Sequence, residues 1–376
     1  MRNKEKLKKA IEFRHEIHRN PDLSGEERPT YERIQKFLAE NAPSIEVVDK
    51  GVYIYGIYRS KHPERPRIGF RCDVDALPIE DKIDKPYRSC KPGIGHKCGH
   101  DGHTATMCAL AMELDEFGAE RDVYMIFQPS EENGAGAIQC TRFITDNNIA
   151  EFFGMHCSTD EDKGVVQYRD GLMNCASVGI CVKYKGVSTH ASLPELGKNP
   201  SAAIAKLALA CDELSASEEY KDLVMATVIH MKSGEDGAYG IAANKGKFQV
   251  TLRAAIEAEM DDLESKLVAK AEELAEEYGL ECKIVQSDRF PETVNDPAMN
   301  RKLLKVCKEL GIPTAERPEA ERGSEDFGHF AKLTPSTIYM MCMGKDKPHL
   351  HSVEFDFDDD IIDTAVDIHM GLINDI

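Results

Sequence analysis

The chain has 376 residues, enough for two domains of ordinary size, and sets 47 Lys and Arg against 66 Asp and Glu for a formal net charge of −19. A charge that negative repels phosphate backbones and argues against a general nucleic-acid binder. With 41% apolar and 30% charged residues, the composition is that of a folded soluble chain and not a disordered one.

The first apolar positions, Leu7, Ala10, Ile11, Ile17 and their neighbours Arg14 and His18, keep helical spacing and stop at Asn20-Pro21. A second helix is expected over Thr30–Leu38. Short β-branched or aromatic runs at Val47–Val48, Val52–Tyr58, Arg67–Cys72 and Tyr124–Phe127 read as strands, with a helix between about His103 and Phe117. Strands separated by helices of this length point to an α/β sheet with helices on both faces. From about Ala176 the order changes to strand Val178–Tyr184, a helix with Pro200 at its first position, strands near Leu223–Met231 and Lys247–Ile256, helix Met260–Tyr278 capped by Gly279, and strand Glu281–Gln286. That β-α-β-β-α-β order is the ferredoxin-like split unit. The α/β pattern then resumes with helix Asn300–Leu310, strand Ser336–Met343 and helix Asp358–Ile373, whose three leading aspartates suit a positive helix end. The expectation is a discontinuous α/β catalytic domain with a central sheet flanked by helices, residues 1–175 and 289–376. An inserted ferredoxin-like α+β domain occupies 176–288, with hinges at the two crossings.

No apolar stretch of the ~7–15 residues a signal region needs follows the N-terminal Met-Arg-Asn-Lys run, and none approaches the roughly 18 of a membrane span. The twelve cysteines are scattered without a CxxC pair. A cytoplasmic chain with mostly buried, reduced thiols is expected, with no membrane partner.

The densest polar segment is Gly95-His96-Lys97-Cys98-Gly99-His100-Asp101-Gly102-His103, three His and one Cys where a loop feeds a helix. This packing of soft and borderline donors suggests a metal site, with Gly99 and Gly102 permitting the tight path that lets Cys98 and His100 converge. Further donors must come from elsewhere. Glu131 and Glu132 follow a buried strand, where ligands gather in open α/β sheets, and adjacent side chains can split the work of metal ligand and general base. His156 sits at a strand terminus, and His349 and His351 follow another. Asp73 ends a strand and can fix the tautomer of a metal-bound imidazole, or pair with Arg71. In the inserted domain His190 stands among small residues and can donate to an oxyanion.

These segments resemble the M20 metallopeptidases, in the amidohydrolase branch of hippurate hydrolases, N-acyl-amino-acid amidohydrolases, auxin-conjugate hydrolases and N-acetyl-diaminopimelate deacetylases. The similarity runs through His18–Ser24, Arg71–Pro78, His96–His103, Phe127–Ala137, Gly154–His156, Gly186–Ser192, Gly323–Phe327 and Leu350–Ser352. The resemblance implies a site for two divalent metal ions, with Cys98 bridging and His100, Glu132, His156 and His351 as the other ligands. Zn²⁺ suits this donor set first, with Mn²⁺, Co²⁺ or Ni²⁺ as alternatives. It further implies Glu131 as general base, Asp73 behind the ligands, His190 as a substrate-binding lid histidine that polarises the scissile carbonyl, and a homodimer formed through the inserted lid domain. The expected substrate is an N-acyl amino acid or peptide-like conjugate. A dipeptidase or aminopeptidase, a non-catalytic metal-binding relative, a redox sensor and a structural dimerisation protein are the competing readings. The chain departs from the branch at Gly240-Ile241-Ala242-Ala243-Asn244, where Gly240 replaces the usual lid-strand Asn ahead of Arg253.

Overall fold

The computed structural model describes residues 3–375. The chain begins with α1 (Lys4–Arg19), capped by the Asn3 carboxamide accepting from the Glu5 and Lys6 amides, and α2 (Arg28–Asn41). Strands β1 (Glu46–Asp49), β2 (Ile54–Tyr58) and β3 (Arg67–Asp73) follow, then α3 (His100–Phe117), β4 (Val123–Gln128), the one-turn helices α4 (Gly136–Cys140) and α5 (Arg142–Asp146), β5 (Ile149–Ser158), β6 (Val166–Tyr168) and β7 (Gly171–Asn174). Next come β8 (Ala176–Lys185), β9 (Thr189–His190), α6 (Ser201–Ser215), β10 (Val224–Ser233), β11 (Ile241–Ala242), β12 (Lys245–Ala254), α7 (Glu257–Glu277) and β13 (Glu281–Phe290). The chain closes with β14 (Thr293–Asn295), α8 (Pro297–Leu310), β15 (Thr314–Glu316), α9 (Gly328–Ala331), β16 (Ser336–Cys342) and α10 (Ile361–Ile373).

Two compact units result. The first holds residues 1–173, 293–320 and 326–376, and the second 174–292 with the short return 321–325. The first unit is built on an eight-stranded sheet in the order β1-β2-β4-β3-β5-β16-β6-β15. Its central strands β4, β3, β5 and β16 run parallel and are buried almost throughout, which is why they read as apolar runs without alternation. One face packs against α1, α2, α3, α8 and α10; the other is covered by Phe143, Phe327 and Phe330 from short helices and loops. Helix α3 is buried on all sides from His100 to Leu114, so its sequence lacks a polar stripe.

The second unit has the sheet order β10-β12-β8-β13, every pair antiparallel, with α6 and α7 packed into its own core. This is the ferredoxin-like arrangement. Two expectations shift locally. Pro200 is the residue before α6, not its first position, and the aspartates before α10 are taken up by cations: Asp358 by Lys163 and Lys347, Asp359 by Arg14, Asp360 by Lys163. All twelve cysteines are free thiols and nine are buried, the packing role expected of most of them.

Candidate metal centre

Because β4, β3, β5 and β16 are parallel neighbours, their carboxyl ends lie along one edge of the sheet. Asp73 is the last residue of β3, Glu131 and Glu132 follow β4, His156 lies near the end of β5, and the loop after β16 reaches His351. Cys98 and His100 arrive on the turn that opens α3. Gly99 between them has φ +93°, and a Cβ there would stand 2.4 Å from the Cys157 Sγ, so only glycine lets the two donors turn inward. Two non-glycine residues at the same edge are also left-handed, Ser130 (φ +51°) and His351 (φ +65°). Glu27 holds the first by accepting from the Ser130 amide (2.8 Å) and hydroxyl (3.1 Å). The Lys97 carbonyl holds the second by accepting from the His351 amide (2.6 Å). Strained backbone that is held in this way is characteristic of working sites.

The five candidate ligands approach one another in pairs and small groups, and no single donor group among the described residues holds all five. Cys98, His100 and Glu132 place a donor atom each within 4.8 Å of one another. The Cys98 Sγ is 3.5 Å from the His156 Nε2, and the His351 Nε2 is 3.6 Å from a Glu132 carboxylate oxygen. Glu131 approaches the His100 Nε2 at 3.9 Å. Cys98, His100, Glu131 and His156 are buried, whereas His351 is exposed.

Hydrogen bonds sort the histidines. His100 donates through Nδ1 to the Asp75 carbonyl (2.9 Å) and His156 through Nδ1 to the Cys157 carbonyl (2.8 Å), so each turns its Nε2 into the cluster. This backbone anchoring is the usual support of a metal-binding imidazole. The His100 Nε2 and one Glu132 oxygen are buried without a hydrogen-bond partner, as atoms waiting for a cation would be. His103 differs. Its Nδ1 donates to Asp73 (2.6 Å) and its Nε2 accepts from the Cys157 amide (2.9 Å), so both nitrogens are spent. His96 is buried with neither nitrogen paired, and it lies in none of the donor groups found among the described residues.

The pattern of peptidase family M20/M25/M40 matches residues 69–375. The chain belongs to that family. It is similar to the N-acetylcysteine deacetylase of Bacillus subtilis, 27% identical over 337 residues that cover 89% of this chain and 88% of the other. It is also similar to the N-acetyldiaminopimelate deacetylase of Lactobacillus acidophilus, 25% identical with 98% of each chain covered. Among solved structures, the Bacillus subtilis YXEP protein, a dinuclear metal-binding peptidase of the M20 family, superimposes with a TM-score of 0.78 at 23% identity, covering 99% of this chain and 98% of that one.

In this M20 chain the electrostatics of the centre are those of a crowded, buried cluster. Burial pushes the Cys98 thiol well above its ordinary range, and Glu132 and Glu131 add to the effect. Burial alone would depress His100, but Asp73 and Asp75 outweigh it and raise the imidazole to about 10. Glu132 is pushed up to about 7 by burial, against the pull of His100. His156 is driven well down by burial and the neighbouring His103. A bound cation inverts this logic, favouring the thiolate, the neutral imidazole and the carboxylate, and the donor set fits such an ion.

Behind the M20 donors lies a supporting network that includes the Arg71–Asp73 pairing offered by the sequence and further residues beyond it. Arg71 donates to Asp73 (2.7 Å), Gln128 (2.9 Å) and Asp326 (3.1 Å), fully buried, and so fixes the carboxylate that holds His103. Asp73 thus orients His103, while His100 is anchored by the Asp75 main chain. Asp75 also accepts from Ser24 (2.7 Å) and the Glu132 amide (3.1 Å), tying the glutamate loop down. On the far side of α3, His18 bridges Asp101 (2.8 Å) and Asp81 (3.0 Å), and Lys97 pairs with Asp81. His190 lies in the second unit, exposed on β9 opposite Ile241, and its Nδ1 accepts from the Ser192 amide (3.1 Å), which leaves Nε2 to donate.

Proposed function

We propose that this chain is a metal-dependent amide hydrolase that removes the acyl group from N-acyl amino acids or related conjugates. The observation that carries the reading is the proximity of Cys98, His100, Glu132, His156 and His351, with the His100 Nε2 and a Glu132 oxygen buried 3.8 Å apart and without a hydrogen-bond partner, beside a second carboxylate, Glu131. These five residues would hold two divalent ions, Zn²⁺ by preference, with Mn²⁺, Co²⁺ or Ni²⁺ as alternatives. Bound there, such ions supply Lewis acidity toward the amide carbonyl and a water whose pKa falls from ~15.7 toward ~7.

The protein's own residues supply the proton traffic. Glu132 is assigned as ligand and Glu131 as base, two carboxylates that both stand near the His100 Nε2 (3.8 and 3.9 Å). Glu131 takes the proton of the attacking water and delivers it to the departing amine nitrogen. The C–N bond breaks, and the acyl fragment leaves as a carboxylate. Asp73 acts through His103 to keep the floor of the site rigid. His190 is assigned the oxyanion donor through Nε2–H, within a homodimer formed through the second unit, 174–292, acting as the lid. The two deacetylases it is similar to act on N-acetyl amino acids, which supports the substrate class. A cytoplasmic setting accords with a free-thiol chain in which no described helix is long and apolar enough to cross a membrane.

The test is Glu131→Gln. Hydrolysis of a panel of N-acyl amino acids should fall by ~10²–10⁴-fold, while metal content per chain, read by elemental analysis, stays at the wild-type level. Full activity in this variant refutes the assigned base, and faster cleavage of free-amine dipeptides than of acylated amino acids by the wild type refutes the substrate class.

A further inference from the structure

The second unit carries a charge arrangement to which the proposed hydrolysis assigns no role. Its sheet packs α6 and α7 on one face and leaves the other open. On the open face, cross-strand register places Lys232 opposite Lys247, Lys247 opposite Lys183, and Lys183 opposite Lys283, a row of four lysines crossing all four strands. One step toward the strand ends, Lys245 stands opposite Lys185. The six line a hollow of about 460 Å³. Lys185 pairs with Glu281 (3.0 Å) and Lys232 with Glu235 (2.9 Å). Among the described residues Lys183, Lys245, Lys247 and Lys283 have no carboxylate partner.

Like charges set directly opposite one another destabilise a sheet. Lysines do guard exposed sheet edges against unwanted pairing, but that explains Lys232 and Lys283 only, since β12 and β8 are the inner strands. In a chain of net charge −19, repulsion concentrated on two inner strands calls for an anion to relieve it.

The chemistry of the face selects the anion. A second copy of this chain set face to face on it does not suit it, because lysine row against lysine row repels. Among the neighbouring open-face residues Gly179, Cys181, His230, Gln249, Thr251 and Val285, the His230 imidazole opposite Gln249 is a single ring, short of the run of aromatics on which successive nucleic-acid bases stack. The hollow is lined by six lysines against two carboxylates, Glu235 and Glu281, and by no arginine, so its excess positive charge comes as point charges and lacks the planar fork that grips a carboxylate through paired bonds. With strands ~4.8 Å apart, four lysines span roughly 14 Å, the footprint of a chain of phosphates and not of a single one. We propose that this face binds a linear inorganic oligophosphate, with Lys183 and Lys247 as the central contacts.

The experiment is calorimetric titration of the metal-loaded protein with inorganic triphosphate, repeated with monophosphate, citrate and a single-stranded DNA oligomer. Triphosphate should saturate one site per chain, at least tenfold tighter than monophosphate or citrate and tighter than the oligomer, and its affinity should fall as salt rises. Lys183→Ala/Lys247→Ala should weaken it at least tenfold, Lys183→Arg/Lys247→Arg should stay within threefold of wild type, and Lys36→Ala should change nothing. Because oligophosphates also chelate divalent cations, the loss in the double alanine variant is the deciding result. Undiminished binding in that variant, citrate binding as tightly as triphosphate, or preference for the DNA oligomer each overturns the proposal.

Discussion

The substitution Gly99→Ala tests how the Cys98–His100 turn is built. A methyl at position 99 meets the Cys157 Sγ at 2.4 Å, with the Phe357 ring next at 3.3 Å, and the backbone must keep φ +93°. An L-residue in left-handed backbone costs ~1–2 kcal/mol, and forcing one methyl into a packed core costs a further ~1–3 kcal/mol. The expected loss is therefore about 2–5 kcal/mol, a large part of an ordinary domain's stability. The two terms can be separated, because Cys157→Ala removes the clashing sulfur and leaves φ untouched. In that background Gly99→Ala should cost only the ~1–2 kcal/mol of backbone strain, so the double-mutant cycle should show a coupling of ~1–3 kcal/mol. Since the chain has no Trp, urea unfolding is best followed by circular dichroism, with bound divalent ions per chain measured on the same samples. Metal content should fall in Gly99→Ala, because the methyl displaces one of its two flanking donors. Effects that add to within ~0.5 kcal/mol would refute the steric argument.

Two further outcomes follow from the supporting network. Burial opposes charging of His18, but Asp101 and Asp81 raise it to about 9 from an unfolded value of 6.5. Its contribution is thus fully present below about pH 6.5 and is lost as pH rises through about 9, and His18→Gln should remove about 3 kcal/mol of the wild type's decline in stability over that window; an unchanged slope in urea melts at pH 6 and pH 9 would sink the bridging role. Asp73→Asn should lower metal affinity by freeing His103 and Arg71 and by removing the negative charge 3.6 Å from the His100 Nε2, and competition with a metallochromic chelator that gives the wild-type affinity would show that Asp73 does not support the centre.

What the sequence makes legible here is what local chemistry dictates. The Cys98–His103 string and the Glu131-Glu132 pair stand where a strand or loop meets the next element, and apolar runs with abrupt polar ends locate β3, β4, β5 and β16. Because a parallel sheet gathers strand ends on one edge, the four chain segments carrying the proposed ligands meet without any knowledge of distances. The alternating burial of β8 and β12 and the stripes of α6 and α7 likewise make the ferredoxin-like unit readable. The elements outside that reading, β6, β7, β9, β11, β14, β15, α4, α5 and α9, run two to five residues, too short for either period to register.

The histidine assignments depend on a different kind of information. In the sequence His100 and His103 carry equal weight as donors, three residues apart on one helix. They are separated only by partners far along the chain: the Asp75 carbonyl takes one N–H, whereas Asp73 and the Cys157 amide consume both nitrogens of the other. Arg71, which holds Asp73, is itself set by Asp326, 255 residues away. No periodicity or spacing encodes such a pair, because its geometry exists only once β3, β4 and the segment before α9 have assembled. The identities of the donors are thus written locally, and their protonation, orientation and division into ligands and supports are properties of the folded sheet edge. A substitution that spares every proposed ligand but cuts Arg71 from Asp326 therefore acts on the centre through Asp73 and His103, by a route that a comparison of motifs alone would miss.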